Sequence, residues 1–259
     1  MKFASLGSGS KGNSTVVSSG DTCVLVDCGF SVRQTEKRLA KIGVCAPDID
    51  ALLVTHEHSD HWAGVEALAA KYHLPIYLTA GSARAANGTA LELMRIIDSH
   101  TSFELGDLTI TPVPVPHDSK EPVQFRIDSA DFRLGLLTDL GCLTPHVIEQ
   151  YKSCDGLLLE ANHDPEILAK GPYPTFLKNR VSGNWGHLSN QQAADFIALI
   201  DQERIQHILL GHISQQNNCL DRLRSALGKS LYDIAKLHYA TQLDGSNWLV
   251  LEKPTKSSF

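Results

Sequence analysis

Four potential metal ligands lie within six residues of this chain, in the segment THEHSDH at positions 55–61. The segment directly follows the apolar run 51–54, which is typical of a buried strand. The ligands are His56, His58, Asp60 and His61. Imidazole and carboxylate ligands suit zinc, manganese or iron rather than calcium, and the absence of a nearby cysteine argues against a structural thiolate site. The segment therefore predicts a metal site at the end of a strand.

Three other apolar runs also lead into a residue type that binds metals. The residues that follow these runs are His117, Asp139 and His212. In open α/β sheets, ligands and catalytic groups gather beyond the carboxyl ends of the strands, because helices cover the faces of the sheet. We therefore expect the four segments to converge on one site.

Together these segments offer five histidines and two aspartates, which is more than one tetrahedral ion with an open position can use. The pattern therefore predicts two divalent ions, zinc or manganese, with iron as the alternative. The natural division gives one ion His56, His58 and His117, gives the other Asp60, His61 and His212, and leaves Asp139 as the bridge. Two ions about 3.5 to 4 Å apart hold a hydroxide between them and stabilise charge on an attacked ester, amide or phosphate. The predicted chemistry is hydrolysis.

These motifs together resemble the metallo-β-lactamase superfamily. Its ligand pattern is similar to THEHSDH followed by a separate His, Asp and final His, and Asp27 in LVDCG matches its usual aspartate after an early strand. Three further segments resemble the YycJ/WalJ group of bacterial proteins, namely FASLGSGSKGNST near the start, EANHD at 160–164 and GPYPTFLKNRVSGNWGHLSN at 171–190. The resemblance implies an α/β fold, the αββα sandwich of two mixed sheets flanked by helices, and a nuclease that acts on DNA.

Glu160 and His187 resemble elements of ribonuclease Z in which a glutamate and a histidine outside the metal shell form a proton relay. Cleavage of a phosphodiester expels an alkoxide, and an imidazolium held by a carboxylate can protonate it as general acid. The resemblance implies His187 as this acid and Glu160 as its partner, and Asp60 is counted as catalytic as well as a ligand. Alternatively, Glu160 is a solvated strand end and His187 a loop histidine before a helix cap formed by Ser189 and Gln192.

The predicted substrate is a nucleic acid, and the resemblance favours DNA over RNA. With 23 basic and 29 acidic residues, the chain has a net charge of −6, which is the wrong sign for broad attraction to nucleic acid. Attraction must therefore be local. The predicted substrate-binding residues are Ser10 and Asn13 in the Gly/Ser-rich segment, and Lys178 and Arg180 before His187.

Length and composition predict a single domain over residues 1–259. The hydrophobic content of 42% is ordinary for a globular chain. Strands are predicted at 2–6, 14–19, 22–27, 51–54, 108–115, 123–128, 132–138, 156–160 and 206–210, and helices at 31–42, 60–72 and 190–200. This alternation is typical of two sheets covered by helices.

The six cysteines show neither a CxxC pair nor the spacing of a disulfide framework. No signal peptide precedes the first strand-like segment, and no apolar run approaches a membrane span. We therefore expect a cytoplasmic protein with reduced thiols and no membrane partner. Cys142 is expected to be a small buried residue, or alternatively a group behind the metal ligands. His163 is a surface or structural histidine, or alternatively a group beside Glu160.

The predicted function is a dinuclear metal-dependent phosphodiesterase, an exonuclease-like enzyme in which a metal-bridging hydroxide attacks phosphorus. Two alternatives stay open. One is a hydrolase of a small thioester, lactone or cyclic phosphodiester, and the other is a metal-binding regulatory or scaffold protein. The sequence leaves the identity of the metal, the polarity of attack and the oligomeric state open.

Overall fold

A computed structural model describes residues 1–86 and 90–253, and within them the chain forms two β-sheets of seven strands each. The strands of the first sheet are β1 (Lys2–Gly7), β2 (Ser14–Ser19), β3 (Thr22–Val26), β4 (Ala51–Leu53), β5 (Ile76–Thr79), β6 (Met94–Ile97) and β14 (Leu249–Val250). The strands of the second sheet are β7 (Phe103–Leu105), β8 (Leu108–Pro114), β9 (Val123–Asp128), β10 (Arg133–Leu137), β11 (Gly156–Glu160), β12 (His207–Gly211) and β13 (Leu237–Tyr239).

Helices connect many of these strands. They are α1 (Val32–Lys41), α2 (Ser59–Trp62), α3 (Val65–Tyr72), α4 (Ala80–Ala86), α5 (Pro145–Tyr151), α6 (Pro165–Lys170), α7 (Thr175–Ser182), α8 (Asn190–Ile197) and α9 (Leu220–Leu227). Short 3-10 helices lie at Ala46–Asp48, Leu91–Leu93 and Ile234–Lys236. In the part of the chain that the structure describes, none of the helices combines the length and the apolar character needed to span a membrane.

The two sheets pack face to face, with strand orders β14-β1-β2-β3-β4-β5-β6 and β13-β12-β11-β10-β9-β8-β7. One apolar core joins them, and it contains Phe3 and Leu53 of the first sheet and Phe125 and Leu158 of the second. Side chains alternate between the faces of a strand, so Leu157 belongs instead to a core shared with α5, α8 and α9. Helices α1 and α3 cover the outer face of the first sheet. The predicted αββα sandwich is confirmed.

The predicted helix 60–72 is wrong as a single element, because the chain forms α2 and α3 there. The backbone N–H of Gly64 donates to the carbonyl oxygen of Cys28 at 2.8 Å. A Cβ atom at Gly64 would lie 1.8 Å from the carbonyl oxygen of Phe30. This close approach to the loop after β3 interrupts the helix, and the short α2 presents His61 to the strand ends.

The carboxyl ends of the parallel strands meet at one edge of the sandwich. In the second sheet β10, β11 and β12 run parallel, and Glu160 of β11 is paired with Gly211 of β12. The chain turns sharply after three of the strands, where positive φ angles of 59°, 54° and 52° occur at Asp27, Asp139 and His212. Non-glycine residues adopt this left-handed conformation at an energetic cost. The fold thus holds three chemically active side chains in a constrained backbone at one edge.

Candidate metal centre

Three imidazole rings converge at the end of β4 and β8. The His56 Nε2 and His117 Nε2 atoms lie 3.1 and 3.3 Å from the His58 Nδ1 atom. On the far side of these rings, His58 Nε2 and His117 Nδ1 each lie 3.2 Å from a carbonyl oxygen, of Asp118 and Gly186 respectively. A carbonyl only accepts, so these outer nitrogens donate and the inner ones carry lone pairs. Lone pairs that face one another in this way suit a cation between them.

A second set of ligand atoms surrounds Asp139. Its Oδ2 lies 3.4 Å from His61 Nε2, and its Oδ1 lies 3.1 Å from His212 Nδ1. Asp60 Oδ2 lies 3.6 Å from the same His61 nitrogen. Although Asp139 is buried, its Oδ2 has no hydrogen-bond partner among the described residues. A buried carboxylate oxygen without a donor is costly unless a cation satisfies it, so this set also suits a metal ion.

A carboxylate behind the centre orients His61. The His61 Nδ1–H donates to Asp27 Oδ2 at 2.7 Å, so Nε2 is the nitrogen that can bind a cation once its proton is displaced. Asp27 is itself fixed, because it accepts from the Thr55 backbone N–H and from the Thr55 hydroxyl, both at 2.8 Å. Such carboxylate partners set the tautomer and orientation of histidine ligands and raise their basicity. The sequence placed Asp27 after a strand but did not reveal this partnership.

Glu160 is fully buried at the end of β11 and is surrounded by donors. Its Oε1 accepts from His187 Nδ1–H at 2.9 Å and from His212 Nδ1–H at 2.8 Å, and the Asp139 backbone N–H lies 3.3 Å away. Its Oε2 accepts from the Leu188 backbone N–H at 2.8 Å. Glu160 is therefore a desolvated, fixed carboxylate rather than a solvated strand end. The helix cap at Ser189 and Gln192 is also present.

Burial and neighbouring charges shift the pKa values of this cluster in opposite directions. Burial raises the pKa of Glu160, but the facing His187 and His212 lower it to about 2. Burial lowers the pKa of His212, but the Asp139 and Glu160 carboxylates raise it to about 10. Burial also lowers the pKa of His61, whereas the carboxylates around it raise this pKa well above its usual range. His61 and His212 thus bind protons next to buried carboxylates. A divalent cation that binds there displaces these protons.

Within the described residues, three groups of side chains bring their ligand atoms within 4.8 Å of one another. The groups are His56, His58 and His117; His56, His61 and Asp139; and Asp139, Glu160, His187 and His212. Asp139 belongs to two of the groups and Asp60 to none of them. This donor set of imidazoles and carboxylates is one that binds divalent metal ions.

Comparison with known proteins agrees with this geometry. The Beta-lactamase superfamily domain matches residues 22–213. Exodeoxyribonuclease WalJ of Streptococcus pneumoniae serotype 2 strain D39 is 37% identical over 226 residues, which are 84% of this chain and 83% of WalJ. The chain belongs to the metallo-β-lactamase superfamily. Exodeoxyribonuclease YycJ of Bacillus anthracis, a second relative, is 32% identical over 240 residues, which are 89% of each chain.

The superfamily fold extends over nearly the whole chain. The crystal structure of Zn²⁺-bound PqqB from Methylobacterium extorquens matches with a TM-score of 0.74 and covers 97% of this chain and 100% of that chain. The sequence identity is 18%, so this likeness concerns the fold alone. The predicted membership in the metallo-β-lactamase superfamily is confirmed.

The predicted substrate-binding residues of this superfamily member lie in different surroundings. Ser10 and Arg180 border a cavity next to His187 and His212. Asn13 is buried, and its amide nitrogen lies 3.1 Å from Asp60 Oδ2 and 3.0 Å from His61 Nε2, so it contacts the ligands directly. The Lys178 ammonium donates to the Ala169 carbonyl oxygen at 2.6 Å, and Lys178 is not among the described residues that border the cavity.

The structure narrows the alternatives for His163 and contradicts the expectation of a buried Cys142. His163 is buried, which excludes the surface alternative, and it forms a β-bridge with Ser189. Burial lowers the pKa of His163 to about 4, so its ring is neutral at physiological pH. Cys142 is half-buried rather than fully buried, because the chain leaves the sheet after Asp139 and passes toward the surface.

Asp27→Asn is expected to lower the affinity for zinc by about 10- to 100-fold, which is the usual cost of removing a carboxylate that orients a histidine ligand. Asp27 accepts from His61 and from the Thr55 hydroxyl at Oδ2 and from the Thr55 backbone N–H at Oδ1, whereas an amide offers only one acceptor oxygen. Competition with a chromophoric chelator measures the affinity. Asp131→Asn is the matched control, since Asp131 lies on the surface and pairs with Lys253 at 2.8 Å. Unchanged affinity in Asp27→Asn would show that Asp27 supports folding only.

Proposed function

We propose that this protein is a metal-dependent phosphodiesterase that binds two divalent ions and degrades DNA from a strand end. The relatives WalJ and YycJ, both named exodeoxyribonucleases, support the substrate class at 37% and 32% identity. We also propose that the protein is cytoplasmic, because the spacing of its cysteines is not that of a disulfide framework. The metals are zinc or manganese, with iron as the alternative, because the donors are imidazoles and carboxylates.

The position of Asp139 supports a pair of ions. Its carboxylate lies within 4.8 Å of a ring nitrogen of His56 and of a ring nitrogen of His61, which we assign to different ions. We assign His56, His58 and His117 to one ion and Asp60, His61 and His212 to the other. When bound, the two ions supply a hydroxide nucleophile at neutral pH and neutralise charge on the attacked phosphate.

The pair formed by Glu160 and His187 is the observation that favours phosphodiester chemistry. The His187 Nδ1–H donates to Glu160 at 2.9 Å, so the opposite nitrogen of His187, Nε2, is available to the substrate. His187 borders the cavity and its side chain is 20% exposed, whereas Glu160 is fully buried. The pKa of about 2 keeps Glu160 ionised at neutral pH, so it orients the ring continuously.

We assign the leaving-group proton to His187. An alkoxide is a poor leaving group, and protonation by a positioned acid typically contributes about 10²- to 10⁴-fold in rate. A thioester expels a thiolate, which is a better leaving group and needs such an acid less. The cluster is therefore better suited to a phosphodiester than to a thioester.

Hydrolysis of a substrate panel tests this function. The protein is reconstituted with zinc or with manganese and is given end-labelled DNA, end-labelled RNA, bis-p-nitrophenyl phosphate and a thioester. We expect cleavage of DNA and of the phosphodiester. Cleavage of the thioester alone would support the small-molecule hydrolase instead, and metal binding without any hydrolysis would support the regulatory alternative.

Arg180→Glu is expected to weaken DNA binding and to make the plot of log affinity against log salt shallower by about 0.9 for duplex DNA, the value for one phosphate contact. Arg180 borders the cavity and forms an exposed ion pair with Asp118, and such pairs are weak enough to exchange for a phosphate. Lys178→Glu should have a smaller effect, because that ammonium bonds to Ala169. Binding is measured by fluorescence anisotropy over a salt series. Equal slopes for wild type and Arg180→Glu would exclude a phosphate contact at Arg180.

A further inference from the structure

A cavity of about 190 Å³ lies beside the centre, and apart from His187, His212 and Arg180 its wall has no role in the mechanism above. His187 and His212 of the candidate metal centre form part of its border. The rest of the wall combines an aromatic ring, apolar side chains and polar groups, including Tyr173, Leu177, Val181, Ile213, Ser214 and Asn217. The cavity is smaller than the pockets of about 300 to 1,000 Å³ that hold drug-sized ligands. It therefore suits one ring system rather than several nucleotides.

Tyr173 has a restricted backbone at the border of this cavity. It stands between Pro172 and Pro174, and a residue before proline is restricted to extended conformations. Pro174, with φ of −63°, caps the amino end of α7. Tyr173 belongs to none of the apolar cores formed by the described residues. The chain thus places an aromatic residue at the cavity without using it for core packing.

Asn217 provides an unused polar group at the border of the cavity. The residue is 1% exposed, and its Oδ1 has no hydrogen-bond partner among the described residues. A buried acceptor without a donor is destabilising. A ligand that brings an N–H group into the cavity can satisfy it.

We propose that this cavity binds one nucleobase of the substrate strand, stacked on Tyr173 and donating an N–H to Asn217. This proposal rests on the proposed function, and it adds that the enzyme binds the base of the nucleotide next to the cleaved phosphate. Every base has a π-face for stacking, so stacking on Tyr173 tolerates different sequences. The proximity of His187 and His212 places the base beside the phosphate that the metal centre receives.

A pair of ligands that differ only in the base tests the proposal. The ligands are 2′-deoxyadenosine 5′-monophosphate and 2-deoxyribose 5-phosphate, titrated calorimetrically into the zinc-loaded protein. Stacking of one base is expected to make the first ligand bind about 5- to 150-fold more tightly. In Tyr173→Ala this ratio should approach one, and in Tyr173→Phe, which keeps the ring, it should persist. Phe176→Ala is the matched control, because Phe176 is 73% exposed and is not among the described residues that border the cavity.

Equal affinities of the two ligands for the wild-type protein, or failure of both to bind, would overturn the nucleobase assignment. A ratio that falls equally in Tyr173→Ala and Phe176→Ala would also overturn it, because the effect would then be general. Hydrolysis of labelled DNA is measured separately. If DNA is not cleaved and the ratio persists, the nuclease function fails while the nucleobase site stands.

Discussion

His187→Ala is expected to lower kcat for cleavage of thymidylyl-thymidine by about 10²- to 10⁴-fold and to affect the p-nitrophenyl ester of thymidine 5′-phosphate far less. The two substrates share a nucleoside and a phosphodiester, and they differ in the leaving group. A nucleoside alkoxide needs a proton as it leaves, whereas p-nitrophenolate does not. Single-turnover rates of both substrates, measured on metal-loaded protein, give the comparison.

Metal analysis of the His187→Ala protein is the necessary control. His187 Nδ1 shares the Glu160 Oε1 atom with His212 and lies 3.8 Å from Asp139 Oδ1. If the variant loses metal, His187 is a ligand. If it keeps metal and loses both activities equally, the relay is excluded. Glu160→Gln should reproduce the leaving-group dependence more mildly, since the amide still accepts a hydrogen bond.

Asp139→Ala is expected to reduce the metal content from two ions per chain to at most one, and to abolish hydrolysis of both thymidine substrates together. The reason is that the Asp139 carboxylate lies within 4.8 Å of His56 in one ligand set and of His61 in the other. Elemental analysis after reconstitution with saturating zinc, followed by removal of loose metal, measures the content. The parallel loss of both activities distinguishes this variant from His187→Ala.

Asp139→Asn separates the loss of the ligand charge from backbone strain. Asp139 has a φ of 54°, a conformation that asparagine tolerates much better than alanine. Asparagine therefore preserves the turn after β10 and removes only the charge. Two tightly held ions in the Asp139→Asn protein would contradict a bridging carboxylate, whatever the alanine variant shows.

From the amino-acid sequence alone, the fold class followed from the resemblance of the motifs to the superfamily, and the candidate ligands followed from a local pattern. His56, His117, Asp139 and His212 each follow an apolar run, and strand ends of a helix-covered sheet face a common crevice. Glu160 was indicated instead by its resemblance to an element of ribonuclease Z. The break in helix 60–72 was missed, because it depends on the contact of Gly64 with Phe30, a residue distant in the chain.

Only the tertiary structure decided which side chains act together. His61 meets Asp27 and Asn13 meets Asp60 across 34 and 47 positions of the chain, and no spacing rule reaches that far. The directions in which Arg180 and Lys178 point could not be predicted from the sequence either. Helix α7 has no buried residue and therefore no apolar periodicity that orients its faces. The cavity between Tyr173 and Asn217 exists only because separate loops pack beside the strand ends. Packing in three dimensions, rather than local preference, sets each of these contacts.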